Sequence, residues 1–457
     1  MTDFSRVEKF IFQKMSESRL PSVTAALVQK NDLVWSTALG FRDLENAMPA
    51  NPDSLYGIGS VTKSFTALAI LQLAEAGKLS LDDPVERFLP LPLRPFGEPV
   101  RIRHFLSHTS GFPALAMSES TSANKVGAGD HWLPVSSYDD LLTFIQDAQD
   151  WAVTRPGERW FYMNEGYILL GKIIEMCSGQ RWFEYVADHI LQPLGMQRTC
   201  FYADQLAAAE NTAIPYEITA EGKRIPATYA FSDINCKGGL ISSVTELAKY
   251  VSMFLAQGKS LENANTIISP ASYAEMTTPR VNTPPKEGYF GDSFYGYGLG
   301  INHTFLGRTL IGHGGSVRVS TAYIGFLPEE GLGTAVLANG SGYSPQFIAM
   351  YLLASALGED PDDLPFVKNE NLLKGLSGNY KSYQGTMRAH VRKAGDMLML
   401  TLEDKHAPAT LPLLPYQLDS DPLVFYTLSG GAKLYVEFYR KPEHTTLIYE
   451  RYALRKY

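Results

Sequence analysis

Cysteine is scarce: the three in 457 residues (Cys177, Cys200 and Cys236) lie far apart, which excludes a disulfide framework and a zinc ribbon. No run of eighteen apolar residues occurs, so no membrane-spanning helix is expected. Positive charge is not in excess either. Forty Lys and Arg against 48 Asp and Glu give a formal net charge of −8, without the basic footprint of a nucleic-acid binder. Metal-ligand spacing is also missing. His104 and His108 are four apart, but no glutamate stands between them as in HExxH and no third ligand is evident, so no metal is expected and a structural role is assigned. Cofactor signatures fail too: Gly258-Lys259-Ser260 resembles the end of a phosphate loop, yet position 253 is Met where that loop needs glycine.

What is there is an ordinary globular composition, 45% hydrophobic and 19% charged, in a chain long enough for two or three domains. Near the N-terminus, Asp3, Arg6, Glu8 and Lys9 interleave with Phe4, Val7, Phe10 and Ile11. That is an amphipathic helix and not a signal peptide, so a cytoplasmic protein is expected. Residues 22–29 and 33–39 flank Lys30-Asn31-Asp32 as a β-hairpin, and Leu81-Asp82-Asp83-Pro84 reads as a helix start. Helices are expected again around residues 168–175, 182–191 and 243–255. Residues 114–137 read as a long, site-lining loop. From residue 296 the pattern turns to strands (296–301, 309–311, 321–326 and 333–339), closed by a helix over 345–357. Early strands, middle helices and late strands predict an α+β fold, an antiparallel sheet flanked by helices with an all-α subdomain, over residues 1–358. An acidic, proline-bearing linker is expected over 359–375. Short alternating runs over 376–457 then predict a small up-and-down β-barrel of six to eight strands.

Three stretches carry chemistry. In Ser60-Val61-Thr62-Lys63, at the start of the apolar segment 65–76 closed by Gly77, the lysine stands on the same helix face as the serine. A lysine in apolar surroundings loses its proton more easily and can activate a serine hydroxyl. A second Ser-x-x-Lys, Ser122 to Lys125, has no apolar helix behind it. Gly57-Ile58-Gly59-Ser60 is not a Gly-x-Ser-x-Gly elbow. Tyr162-Met163-Asn164 is the single Tyr-x-Asn of the chain. In an extended stretch Tyr162 and Asn164 point one way and Met163 into the core, so Tyr162 can pass a proton and Asn164 can bond Lys63 or a substrate carbonyl. Beside a strand edge, His313-Gly314-Gly315-Ser316 lets a substrate backbone approach, and the N–H groups of Ser316 and Ser60 suit an oxyanion hole.

Together with His108-Thr109-Ser110-Gly111, Pro193-Leu194-Gly195-Met196 and Gly238-Gly239-Leu240-Ile241-Ser242, these stretches resemble the serine β-lactamase and penicillin-binding-protein superfamily, on its class C-like (CubicO-type) esterase and peptidase branch. The tail resembles the lipocalin-like barrel of some members. The resemblance implies Ser60 as acylated nucleophile, Lys63 and Tyr162 as the acid/base pair, Asn164 as an orienting residue, and no cofactor. Two departures stand out. His313 replaces the lysine of Lys-Thr-Gly, which argues against β-lactamase activity, and no glycine follows in Val317-Arg318-Val319-Ser320-Thr321. Arg318 is the candidate to replace that lysine as a carboxylate anchor. The expected activity is hydrolysis of a small peptide, D-amino-acid peptides included, or of an ester. Acyl transfer to an alcohol or amine, and a silent ligand-binding relative, are the alternatives. The barrel is expected to pack over the cleft or against a neighbouring subunit of a homo-oligomer.

Overall fold

The computed structural model describes residues 4–125, 135–232, 234–261, 265–284, 291–403 and 409–457, without the side chains of 122–125. The chain forms two compact units, residues 1–359 and 360–457.

The first unit is built on a nine-stranded antiparallel sheet in the order Met48–Pro49, Asp32–Asp43, Ser22–Gln29, Leu332–Ala338, Thr321–Leu327, Arg308–Ser316, Gly300–Phe305, Ser293–Tyr295, Val281–Asn282. The first hairpin turns on Lys30 and Asn31, both with positive φ (48° and 76°), the two-residue turn that suits strand twist. Strands Thr321–Leu327 and Leu332–Ala338 are buried at every residue, which is why they read as continuous apolar runs: both sheet faces are covered. Helices Val244–Leu255 and Pro345–Ala356 pack on the sheet, and Ser5–Ser18 packs on the latter through Phe10 stacked against Tyr351 at 3.9 Å.

The second layer is helical. Thr62–Glu75 is buried nearly all round, held by Asn164–Ser178, Trp182–Val186 and Pro270–Thr277. Trp182 Nε1 donates to Thr66 Oγ1 (3.0 Å), and Phe65 stacks on Tyr250 at 3.9 Å. No helix among the described residues is long and apolar enough to cross a membrane, and no group of three or more His, Cys, Asp or Glu converges as a metal site among them.

The second unit is a closed eight-stranded barrel running in chain order from Gly378–Lys381 to Tyr452–Lys456. Tyr380, Phe425 and Phe438 alternate inward with Val391, Leu400, Val436 and Leu447, all fully buried. Tyr416 and Tyr435 face out.

Three sequence expectations change. Residues 365–375 of the expected linker belong to the helix Pro365–Leu376, because Pro365 suits a first helical turn and Leu373 and Leu376 join the barrel core. The helix start at Leu81 yields one 3-10 turn, Val85–Arg87, since Pro90, Pro92 and Pro95 prevent its continuation. Of the strand expected over 296–301, residues 296–299 form a turn instead, with Gly296 N–H donating to Leu299 O and Gly298 at φ 71°, and the strand begins at Gly300. A Cβ on Gly298 would lie 3.1 Å from the Lys63 carbonyl oxygen, so this turn presses on the serine-lysine helix. Of the loop expected over 114–137, residues 126–134 lie outside the described residues, and Met117–Lys125 is helical.

Candidate active site

Ser60 sits in a 3-10 turn, Gly59–Val61, that runs straight into the helix Thr62–Glu75. The turn lies against the end of strand Arg308–Ser316. A Cβ on Gly59 would come within 2.6 Å of Ser316 N, and one on Gly315 within 1.9 Å of Ile58 O and 3.0 Å of Ser60 N. Both glycines are therefore steric requirements of this contact. It brings the backbone nitrogens of Ser60 and Ser316 close together, the pair needed for an oxyanion hole. Strand Gly300–Phe305 pairs with this strand only as far as Gly300 opposite Gly312, so one backbone edge of His313–Ser316 has no strand partner among the described residues.

Lys63 lies one helical turn on, with none of its surface exposed. Its Nζ is 3.0 Å from Ser60 Oγ, 2.8 Å from Asn164 Oδ1 and 2.9 Å from the Lys237 carbonyl oxygen. None of these partners is charged. Burial, and next the positive charge of Lys237, hold Lys63 well below the usual lysine range. A neutral amine has two N–H groups and one lone pair. In that neutral form the two carbonyl oxygens would take the N–H groups and leave the lone pair for the Ser60 hydroxyl, whereas the charged form donates to all three.

Tyr162 ends an extended stretch, and Met163 points into the core as the spacing predicts. Asn164 is the first residue of the helix Asn164–Ser178. The Tyr162 ring covers Lys63 Nζ at 4.8 Å, and its hydroxyl is within electrostatic reach of Ser60. Part of the side chain is open to the cleft, but its packed surroundings push the phenol above its ordinary range and only the Ser60 contact offsets this. The phenol therefore stays protonated, with a proton to give.

His313 is neutral. Its Nδ1 must donate to the Gly314 carbonyl (2.6 Å), so Nε2 accepts from the Tyr295 hydroxyl (2.8 Å). Burial and then Lys63 lower its pKa to about 4. It supplies no fixed cation. Arg318 has φ 69°, and its Nε and Nη2 both donate to Glu217 Oε1 (3.2 and 2.7 Å). Its charge is thus already balanced. His104 and His108 each accept a backbone N–H on Nδ1, from Arg101 and Met163 respectively. Ser122's side chain lies outside the described residues.

A cavity of about 350 Å³ opens beside Ser60, walled by Glu119, Asn164, Tyr229, Lys237 and Arg318. Two of these carry no sequence signal. Glu119, on the helix Met117–Lys125, accepts from Asn164 Nδ2 at 3.1 Å, and Lys237 precedes the Gly238-Gly239 turn. Their neighbours in sequence share no spacing with Ser60, so only the fold could place them here. A wider cleft on the other side of Ser60 runs past Tyr162 and Gly314–Ser316 to Tyr343 and Gln346.

Comparison with known proteins is consistent along the whole chain. The family model described as Beta-lactamase matches residues 7–357, and that described as Pab87 octamerisation domain matches residues 361–455. Protein flp of Staphylococcus aureus (strain MW2) is 25% identical over 358 residues, 75% of this chain and 64% of its own length, so the chain spans under two thirds of that relative. The octameric penicillin-binding protein homologue from Pyrococcus abyssi is 44% identical with a TM-score of 0.94, covering 99% of this chain and 100% of its own. A D-stereospecific amidohydrolase from Streptomyces sp. is 25% identical with a TM-score of 0.64, covering 78% of this chain and 99% of its own.

Proposed function

The chain belongs to the beta-lactamase family of serine hydrolases, and on that premise we propose that it hydrolyses short peptides through an acyl-enzyme on Ser60. The observation that carries this reading is the set of uncharged partners around Lys63. Lys63 takes the Ser60 proton as Oγ attacks the substrate carbonyl carbon. The N–H groups of Ser60 and Ser316 receive the developing oxyanion. Tyr162 gives its proton to the departing amine as the C–N bond breaks and regains one from Lys63. Water then attacks the acyl-enzyme with the same groups in reverse, returning the proton to Ser60. The His313–Ser316 edge suits an extended peptide main chain. An amidohydrolase among the similar structures supports amide over ester cleavage and makes D-residues the first to test. A panel of L- and D-aminoacyl anilides, short peptides and acyl esters decides between them.

Glu119 narrows the class. Its Oε1 is held by Asn164 beside the nucleophile, and in this reading its carboxylate receives the free α-ammonium of the residue being acylated. Glu119→Gln keeps an oxygen for Asn164 and removes the charge. It is expected to raise KM about tenfold for substrates with a free amino terminus, the size of a lost charge-assisted hydrogen bond, and to leave N-acetylated ones unchanged. Equal effects on both would remove the assignment.

In the same reading the barrel is the assembly module of a homo-oligomer, as the octameric Pyrococcus relative and the matched family model suggest. Tyr416, Tyr435 and Tyr439 stand exposed on its outer face, where aromatic side chains favour contact with another surface. A chain ending at Glu359 keeps the first unit's own core and is expected to scatter light as a single chain while the full protein scatters as an oligomer. An unchanged oligomeric state would refute this role.

A further inference from the structure

Among the motifs that the reaction does not use is His108-Thr109-Ser110-Gly111. In the fold it lies just past the short helix Ile102–Leu106 and runs along the loop that carries Tyr162. The Gly111 carbonyl accepts from Val153 N–H (2.9 Å) and the Thr109 carbonyl from Gly157 N–H (2.7 Å). Two more bonds converge on one residue. Phe161 N–H donates to the His108 carbonyl at 2.8 Å, and Met163 N–H donates to His108 Nδ1 at 3.1 Å.

Tyr162 is thereby bracketed. The residues on either side of it are tied to the backbone and the ring of the same histidine, and that ring lies against the Tyr162 ring with centroids 4.2 Å apart. We propose that His108 is a positioning residue that holds the Tyr162 hydroxyl at Ser60, the whole motif serving as a clamp on the Tyr162 loop.

Three further features fit a clamp. First, His108 is 1% exposed and its Nε2 has no nitrogen or oxygen partner among the described residues, so the ring's polar contact is the one at Nδ1. Second, accepting a bond at Nδ1 requires the neutral ring, and burial keeps it neutral. Third, His108 adopts φ 58°, a left-handed conformation costly for most side chains. That strain turns both its carbonyl and its ring toward one strand of the loop. Gly111, at φ 89°, is equally fixed, since a Cβ there would meet the Thr154 carbonyl oxygen at 2.3 Å.

The inference rests on the proposed role of Tyr162, and a double-mutant cycle separates the two. His108→Ala removes the Nδ1 acceptor and the ring. It is expected to lower kcat about 30-fold with KM changed less than about twofold, the effect of a displaced catalytic group. His108→Asn tolerates positive φ and offers an amide oxygen to Met163, and should restore most of the loss. In a Tyr162→Phe background, His108→Ala should cost less than about twofold, because the hydroxyl it positions is already gone. A full loss of about 30-fold in that background would overturn the clamp and leave Tyr162's role standing. An unchanged kcat in Tyr162→Phe alone would overturn the role of Tyr162 and the clamp with it. If His108→Ala does not fold, the cycle is run with His108→Asn, whose smaller loss must likewise vanish in Tyr162→Phe.

Discussion

Replacing Ser60 by alanine is expected to lower turnover by a factor on the order of 10⁴ or more, the scale seen when a nucleophile is removed and only binding and the oxyanion site remain. Covalent labelling by a fluorophosphonate should disappear with it. The expectation comes from position. Ser60 Oγ is the hydroxyl 3.0 Å from the Lys63 amine and within electrostatic reach of the Tyr162 phenol, with Ser316 N across the glycine contact. The fold should survive the change. Neither Gly59 nor Gly315 is touched, and the serine-lysine helix is held by Phe65, Thr66 and its apolar face. The melting temperature should therefore move by no more than about 2 °C, as for a substitution that makes no cavity and leaves no buried charge. Intact-mass spectrometry of the treated wild type and Ser60→Ala proteins reads the result. A labelled Ser60→Ala protein, with the adduct mapped to Ser122, would overturn the assignment.

What was legible in the chain depends on the range of the forces involved. Ser60 and Lys63 share one helical turn, so their proximity is local geometry and the sequence alone places them together. Tyr162 and Asn164 were readable as a pair, but their arrival at Lys63 is long-range: it needs Asn164–Ser178 to pack on Thr62–Glu75. The order of motifs in a known family supplied that step where periodicity could not. Glu119 and Lys237 were not readable, because a lone glutamate in a polar helix and a lysine before two glycines look like any solvated side chain. The strand Ala409–Gln417 is also hard to read in the sequence. Pro412 and Pro415 mask its alternation, although the barrel places Pro412 opposite Met399 and Pro415 opposite Phe425. Gly298 shows the reverse error. Tyr297 and its flanking glycines mimic the start of a strand over 296–299, yet the turn is fixed by how closely it approaches the backbone of Lys63.

Lys63→Arg is the variant that separates a base from a fixed cation at this position. Arginine keeps a positive charge and N–H donors for Asn164 and the Lys237 carbonyl, but it stays protonated throughout the working pH range. If Lys63 works as the neutral base, Lys63→Arg loses turnover by about 10³- to 10⁴-fold at every pH, the upper range for loss of a proton-transfer partner. The wild type should show the matching pH dependence. Burial lowers the folded-state pKa of Lys63, so kcat/KM falls as pH drops through that lowered value and is flat above it. Stability carries the same signature with a definite sign. In the unfolded chain Lys63 titrates near about 10.4, so between its folded value and that pH the unfolded state binds one more proton. Unfolding free energy contributed by this residue therefore rises with pH across that window. Lys63→Met removes the titration, so the stability of the wild type relative to Lys63→Met should climb as pH rises toward about 10 in urea melts. A Lys63→Arg enzyme within about tenfold of wild type, or a stability difference that is flat with pH, would mean that Lys63 is charged in the folded protein and that another group takes the Ser60 proton.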